Sequence, residues 1–262
     1  MSWNGIKKAI NRAGTQVMMK VGQIDATVDL EFEFEKKRFR TMEEKSNKLQ
    51  SELKHYLSTL RNLTTAQLNV SDVLSTFYGD GAEQSVSKEY HMVMEKLNKE
   101  TLQELEQPYS QTVLNPIARF NSYYIEINEA IKKRNHKQLD YDTMKSKVQK
   151  LMDNPGTDEI YEKKLEESQR QLENTEVIYN NINSQLKQEL PRLVNLRIPF
   201  LDPSFESFVK LQLKFFSDSY QELNGIQSKL DAQTRQEYIE GKLDNKIDDV
   251  LLKMRELNIT GM

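Results

Sequence analysis

The chain has no cysteine among its 262 residues. That excludes disulfides, thiol nucleophiles and cysteine-ligated zinc, and it is compatible with a reducing compartment. Only nine glycines and six prolines interrupt it. No uninterrupted apolar run is long enough to span a bilayer. The N-terminus lacks the continuous apolar core and small-residue cleavage site of a secretory signal. Neither a glycine at position 2 nor a C-terminal CaaX box marks a lipid anchor. The three histidines, His55, His91 and His136, are far apart and show no HExxH spacing. No GxGxxG or phosphate loop is present. Acidic pairs such as Glu43-Glu44 and Asp248-Asp249 read as solvent-facing helix positions. The expectation is a protein that is not an enzyme and carries no metal or cofactor.

Charged residues make up 29% of the chain, yet its formal net charge is only −3. Few breakers together with many Glu, Lys, Gln and Leu favour long helices. The first pattern steps by three and four residues: Phe32, Glu35, Phe39, Met42, Ser46, Leu49, Leu53, Tyr56, Leu60, Leu63, Gln67, Val70, Leu74, Phe77. All but Glu35, Ser46 and Gln67 are apolar, which makes it a heptad seam. Gln67 either fixes register or is a tolerated polar position. A break is expected at Gly79-Asp80-Gly81, with a loop to about Glu89. A second helical stretch runs to Met152, bent or broken at Pro108 and Pro116. Asp153-Asn154-Pro155-Gly156 is the strongest turn signal. A third helix carries Leu165, Leu172, Tyr179, Leu186, Leu193 and Phe200 at sevenfold spacing. It should kink or restart at Pro191, Pro199 and Pro203. A more polar helix closes the chain between about Thr234 and Leu257.

Short turns make sequential helices antiparallel neighbours. The expected fold class is therefore all-α: an elongated antiparallel kinked three-helix coiled coil over residues 25–258, preceded by an amphipathic segment, 1–24. The aromatic-rich stretch Phe200–Tyr220 and the Leu60–Phe77 seam carry more apolar surface than one thin bundle needs. A dimer interface is expected there, through Leu63, Val70, Leu74, Phe77, Phe205, Phe208, Leu211 and Phe215.

Two segments concentrate positive charge. The first 24 residues hold no acid. Trp3, Ile6, Ile10, Ala13, Val17 and Val21 form a helical apolar stripe, flanked by Lys7, Lys8, Arg12 and Lys20. Such a helix can lie in the surface of an anionic bilayer. Trp3 is either an interfacial anchor or a buried staple. With three glycines, the segment is a marginal helix in water and is expected to fold on lipid. The second segment, Ile131–Lys150, sets Lys132, Lys133, Arg134, Lys137, Lys145, Lys147 and Lys150 against only Asp140 and Asp142. Segregated charge of this kind reads either as a site for an anionic partner or as a solvated face paired with neighbouring acids. Nucleic acid is not the expected partner, because aromatics are not interleaved and no reading-head motif occurs.

Several segments in order carry a family resemblance: WNGIKKAINRAG, TVLNPIARF, AIKKRNHKQLDYD, ELPRLVNLRIPF and FLDPSFESFVKLQL. The chain resembles N-BAR proteins of the amphiphysin family over essentially its whole length. Within that family it is similar to the BAR-only branch of the fungal reduced-viability-upon-starvation proteins, since no SH3 domain follows in these residues. The resemblance implies a crescent-shaped dimer of kinked three-helix coiled coils. Its concave face and tips would bind anionic phospholipid, with an inserting N-terminal helix. It further implies a homodimer or a heterodimer with an SH3-bearing relative, indirect links to actin-patch proteins, and a place in endocytic scission, cortical actin organisation and cell fusion. The family's basic pattern before Asp-Tyr-Asp falls on Lys133, Arg134 and Lys137, and His136 stands where relatives often have arginine. At the expected tip, Asp153, Asn154, Asp158 and Glu159 replace the family's lysines, so Lys150, Lys163 and Lys164 are the nearest substitutes.

The resulting expectation is a curvature-sensing and curvature-generating membrane scaffold. It would be cytoplasmic and peripheral at the plasma membrane, with Trp3, Ile6, Lys7, Lys8, Ile10, Arg12 and the seven cations of 131–150 as membrane contacts. The alternative is a cytosolic coiled-coil adaptor that binds only protein.

Overall fold

The computed structural model describes the backbone of residues 3–20, 25–78, 86–230 and 232–257, and the side chains of 9–10, 12–19, 25–78, 86–230 and 236–257. The expected break at Gly79-Asp80-Gly81 lies outside the described residues. All regular elements among the described residues are helices: α1 (Trp3–Lys20), α2 (Leu30–Tyr78), α3 (Val86–Lys96), α4 (Leu102–Tyr109), α5 (Asn115–Ser122), α6 (Tyr124–Asp153), α7 (Glu159–Lys229), α8 (Ala232–Ile239) and α9 (Leu243–Arg255). Two five-residue π-helical turns, Leu97–Thr101 and Ser110–Leu114, join α3 to α4 and α4 to α5. The chain divides into two compact units, Met1–Glu52 with Leu114–Ser204, and Leu53–Val113 with Phe205–Met262.

The first unit is an antiparallel three-helix bundle. Thr27, Phe32 and Phe39 meet Asp142, Arg134 and Tyr124 in turn, so α6 runs back along α2. Phe120 meets Phe200 and Tyr141 meets Tyr179, so α7 runs back along α5 and α6. The core is Phe32, Phe39, Met42, Phe120, Tyr124, Ile131, Leu186, Leu190 and Val194. Each such side chain contributes about 1.5–3 kcal/mol by leaving water. The core aromatics meet edge to face, with Phe39 and Phe120 each 5.7 Å from Tyr124 between ring centroids.

Two polar positions fix how this bundle starts. Asp29 caps α2, accepting from the Phe32 N–H at 3.0 Å. The same carboxylate accepts from Asn183 at 2.7 Å and Lys187 at 3.3 Å. Burial opposes its charge, but these hydrogen bonds outweigh it and hold the carboxyl at about 2. Arg134, 1% exposed, stacks its guanidinium 3.9 Å from the Phe32 ring centroid. It donates to Asn183 and Tyr179, both at 2.9 Å, and to Gln138. Gln138 donates in turn to the Thr27 carbonyl. The Thr27 hydroxyl donates to the buried Asp142 at 2.5 Å. Burial raises the Asp142 carboxyl above its usual range, and the bonds from Thr27 pull the other way.

The turn after α6 follows its sequence. Asp158 caps α7 through the Tyr161 N–H at 2.8 Å, and the Tyr161 hydroxyl reaches back to the Leu151 carbonyl at 2.7 Å. A Cβ on Gly156 would sit 2.9 Å from Tyr161, so this position needs glycine.

The second unit is also antiparallel. Arg61, Thr64 and Ser71 pair with Glu106, Asn98 and His91, and Lys96 and Glu104 pair with Glu222 and Lys214. Here the expected seam holds at Leu60 and slips by one residue on either side of it. Beyond Ser46 the buried positions of α2 are Leu57, Leu60, Thr64 and Ser71, and Leu63, Val70 and Phe77 face outward. The shift falls where Ser46 and Gln50 both bond Asn121, at 2.5 and 2.8 Å. A straight helix drifts against a seven-residue repeat by about 20° per heptad, and α2 carries apolar side chains on both faces. Thr64 and Ser71 are tolerated inside because their hydroxyls donate to the Arg61 and Leu68 carbonyls of their own helix.

The prolines behave differently from one another. Pro108 lies within α4, immediately before a π turn, and Pro116 opens α5. The Thr112 hydroxyl satisfies the Pro108 carbonyl at 2.8 Å. By contrast, α7 runs without a restart through Pro191, Pro199 and Pro203.

Two variants test the polar anchor. Arg134→Ala should cost about 2–4 kcal/mol in urea unfolding, because it leaves a void and unpaired acceptors. Asp29→Asn keeps a capping side chain but drops the charge, and should cost about 1 kcal/mol near neutral pH. The folded-state value lies below the ordinary 3.8, so the stabilisation is present above that value and is lost as pH falls toward about 2. The gap between parent and variant, read from urea midpoints, should therefore close over that interval.

Candidate membrane-binding face

Helix α6 carries the second basic segment, and its burial pattern sorts the cations into two kinds. Ile131, Arg134, Leu139, Asp142 and Val148 are buried. Lys132, Lys133, Lys145, Lys147 and Lys150 are exposed. Among the described residues, Lys133, Lys145, Lys147 and Lys150 form no ion pair, and Lys132 makes only a 3.5 Å contact with the exposed Glu129. Lys137 is half-buried, 3.8 Å from Asp140.

Arg134 is a correction to the sequence reading. It was expected at the surface with Lys133 and Lys137, but its guanidinium is the buried centre of the network described above. The signal that could have placed it is its spacing: Ile127, Ile131 and Arg134 share one face of α6, and that face turns inward.

Helix α1 packs against α6. Arg12 clasps Asp140 through two hydrogen bonds of 2.8 Å, and the Thr15 and Thr143 hydroxyls lie 2.7 Å apart. The Asp140 hydrogen bond favours the charged form of Arg12 against partial burial. The segment expected to fold on lipid therefore has a protein partner. Ile10, Val17 and Met18 remain exposed. The side chains of Trp3, Ile6, Lys7 and Lys8 lie outside the described residues. Arg40, which the sequence reading passed over, lines a shallow depression with Gln16, Lys132 and His136. It is paired with Glu43 at 2.8 Å, and its only signal was the cation-rich run EKKRFR.

The expected dimer residues separate in the same way. Leu63, Val70, Phe77 and Phe205 are exposed, Phe77 to 83%. Leu74, Phe208 and Leu211 are half-buried, Phe208 against the Tyr56 ring at 5.2 Å. Phe215 is a correction: at 4% exposed it belongs to the core of its own chain, beside Leu105 and Thr101. Its neighbours Leu213 and Phe216, 71% and 51% exposed, are the outward pair. Val73, Val209 and Tyr220 join them at the surface. No described helix is long and apolar enough to cross a membrane.

Comparison with known proteins agrees with this architecture. The BAR domain family model matches residues 6–232. Protein hob3 of Schizosaccharomyces pombe is 48% identical, covering 100% of this chain and 98% of that protein. The Candida albicans protein named regulator of cytoskeleton and endocytosis RVS161 is 42% identical, covering 100% and 99%. Among solved structures, the amphiphysin BAR domain from Drosophila superposes with a TM-score of 0.64 at 24% identity, over 80% of this chain and 96% of that one. The long antiparallel helices, their inward-turned heptad faces and the match over most of the length have one common account: this chain belongs to the BAR-domain family.

Proposed function

We propose that this chain is a dimeric membrane scaffold that binds and stabilises curved anionic bilayers, acting in endocytic vesicle scission, cortical actin organisation and cell fusion. The observation that carries the reading is the set of exposed lysines on α6, four of them without an ion partner among the described residues, on a helix that needs no lipid to order it. Each cation held near an anionic cytoplasmic surface contributes roughly 1 kcal/mol. One copy would bind weakly. Two rigidly joined copies make the second contact intramolecular, so their contributions combine. The endocytic and cytoskeletal setting is carried over from the name of the Candida relative. The partner copy is either this chain or an SH3-bearing relative. Residues 1–24 are the inserting segment and 25–258 the scaffold. To insert, α1 exchanges the Arg12–Asp140 clasp for lipid phosphate.

The membrane reading is tested by reversing Lys133, Lys145 and Lys147 to Glu, all exposed and unpaired. The fold, read by circular dichroism, should be retained. Co-sedimentation with anionic liposomes at physiological salt should weaken by two or more orders of magnitude, from about six charge units at roughly 1 kcal/mol or less each. Unchanged binding would favour the protein-only adaptor. Trp3→Ser with Ile6→Ser should keep the salt-sensitive attachment but reduce tubulation.

The dimer reading is tested at the outward apolar positions. Obligate interfaces bury above roughly 2,000 Å². Val70→Asp with Leu213→Asp should give folded monomers in sedimentation velocity, because neither side chain is buried in its own chain. A variant that stays dimeric would move the interface elsewhere. Phe215→Asp should instead unfold the protein.

A further inference from the structure

Helix α9 and one groove of the first unit are both left unexplained by the scaffold. The match to the BAR domain family model ends at residue 232, so α9 lies beyond the part that model covers. It is set off from α8 by Gly241, whose φ of +67° is a left-handed conformation that favours glycine. Leu243, Ile247, Val250, Leu251 and Met254 fall on one face of α9 at helical spacing. No residue of α9 is buried, and Ile247 and Met254 are each 55% exposed. Such a helix does not hold its shape alone in water at 13 residues. Its apolar face is open among the described residues.

An anionic bilayer is a poor candidate. Asp244 and Asp248 flank the apolar stripe, with Asp249 behind, and none of the three forms an ion pair among the described residues; Lys246 and the last-turn Lys253 and Arg255 balance them, so the helix has no net charge to draw it to anionic lipid. Lys246, on the opposite flank, is already committed to Glu237 at 3.0 Å.

The groove has the complementary character. Its floor is Met42, Phe120 and Val194, and its walls are Phe34, Leu49 and Leu201. Lys37, Arg38, Lys45 and Arg197 line it as well, and no acid does. Along α2 it extends from Phe34 to Leu49, about 22 Å at 1.5 Å per residue, and α9 is about 20 Å long on the same measure. Lys37 has no ion partner among the described residues, and Lys45 has only a 3.4 Å contact with the exposed Glu44.

We propose that α9 of one copy seats in this groove of a second copy, apolar face down, with Asp244 and Asp248 against Lys37 and Lys45. The inference rests on the dimer proposed above. It makes the extension past residue 232 a strap that fastens one copy to the other.

The absence of native cysteine gives a clean test. Ile247→Cys is placed in one tagged copy and Thr41→Cys, on the groove lining midway between Lys37 and Lys45, in a differently tagged copy, and the two are co-expressed and mildly oxidised. The expected result is a disulfide joining the two tags, seen on non-reducing gels and assigned by mass spectrometry. Adding Asp244→Lys and Asp248→Lys to the first copy should lower its yield about tenfold, since like charges now face each other. Three results overturn the proposal. One is no cross-link in a sample that sediments as a dimer. Another is cross-linking only between two copies of the Ile247→Cys chain. The third is an unchanged yield after the charge reversals. A sample that sediments as a monomer overturns the dimer reading along with it.

Discussion

The buried guanidinium of Arg134 is the constraint on which the first unit depends. A charge at 1% exposure is stable only when its donors are satisfied. Here they are met by Asn183 and Tyr179 of α7 and by Gln138 of its own helix, and the flat face of the group rests on Phe32 of α2. One side chain thus ties all three helices of the bundle. Through Gln138 and Asp142 the same node holds Thr27, just ahead of α2. A cation in this place sets geometry more strictly than an aliphatic side chain, because its partners must arrive at defined angles and distances.

On the proposed membrane reading, that arrangement would let the neighbouring lysines act together. Lys133, Lys145, Lys147 and Lys150 sit on the helix whose inward face carries the node. Their spacing is set by the helix before any lipid is present, so ordering the backbone is not a cost of binding. The acids nearby have other duties. Asp142 holds Thr27, and Asp140 takes Arg12 and faces Lys137. The segment that seemed to hold seven cations against two acids therefore resolves into one structural cation, one half-buried cation and five exposed lysines. Neither acid forms an ion pair with any of those five among the described residues, although the charge of Lys145 acts on Asp142.

Much of this was legible in residue order, and the failures have physical causes. The heptads, the Asp153–Gly156 turn and the basic character of α6 all follow from local rules of helix periodicity and turn chemistry. Arg134 was misplaced because charge was read as exposure, although its position relative to Ile131 put it on the inward face. The seam of α2 slipped because two apolar ridges coexist there. Sequence spacing alone favours the larger side chains, Leu63, Val70 and Phe77, whereas the fold takes Leu57, Thr64 and Ser71 inside along with the expected Leu60. The three prolines of α7 predict a kink or a restart, and the helix restarts at none of them.

The inversion in α2 links the fold to assembly. A helix that turns small hydroxyl residues inward and large apolar residues outward gives away part of the transfer energy available to a single chain, about 1.5–3 kcal/mol for each large side chain left wet. Thr64 and Ser71 allow the helices of one chain to approach, and their hydroxyls are satisfied within α2. The outward ridge of Leu63, Val70 and Phe77 then has no use in the isolated chain. The outward residues Phe205, Leu213 and Phe216 on α7 stand in the same position. Both sets lie in the same compact unit. Burial of the two ridges against a second copy would recover what the single chain leaves unused, so chain folding and dimer formation become one thermodynamic problem. On the proposed dimer, order in the first unit and assembly through the second would come from different chemistry: a buried polar node in one, and exposed apolar surface in the other.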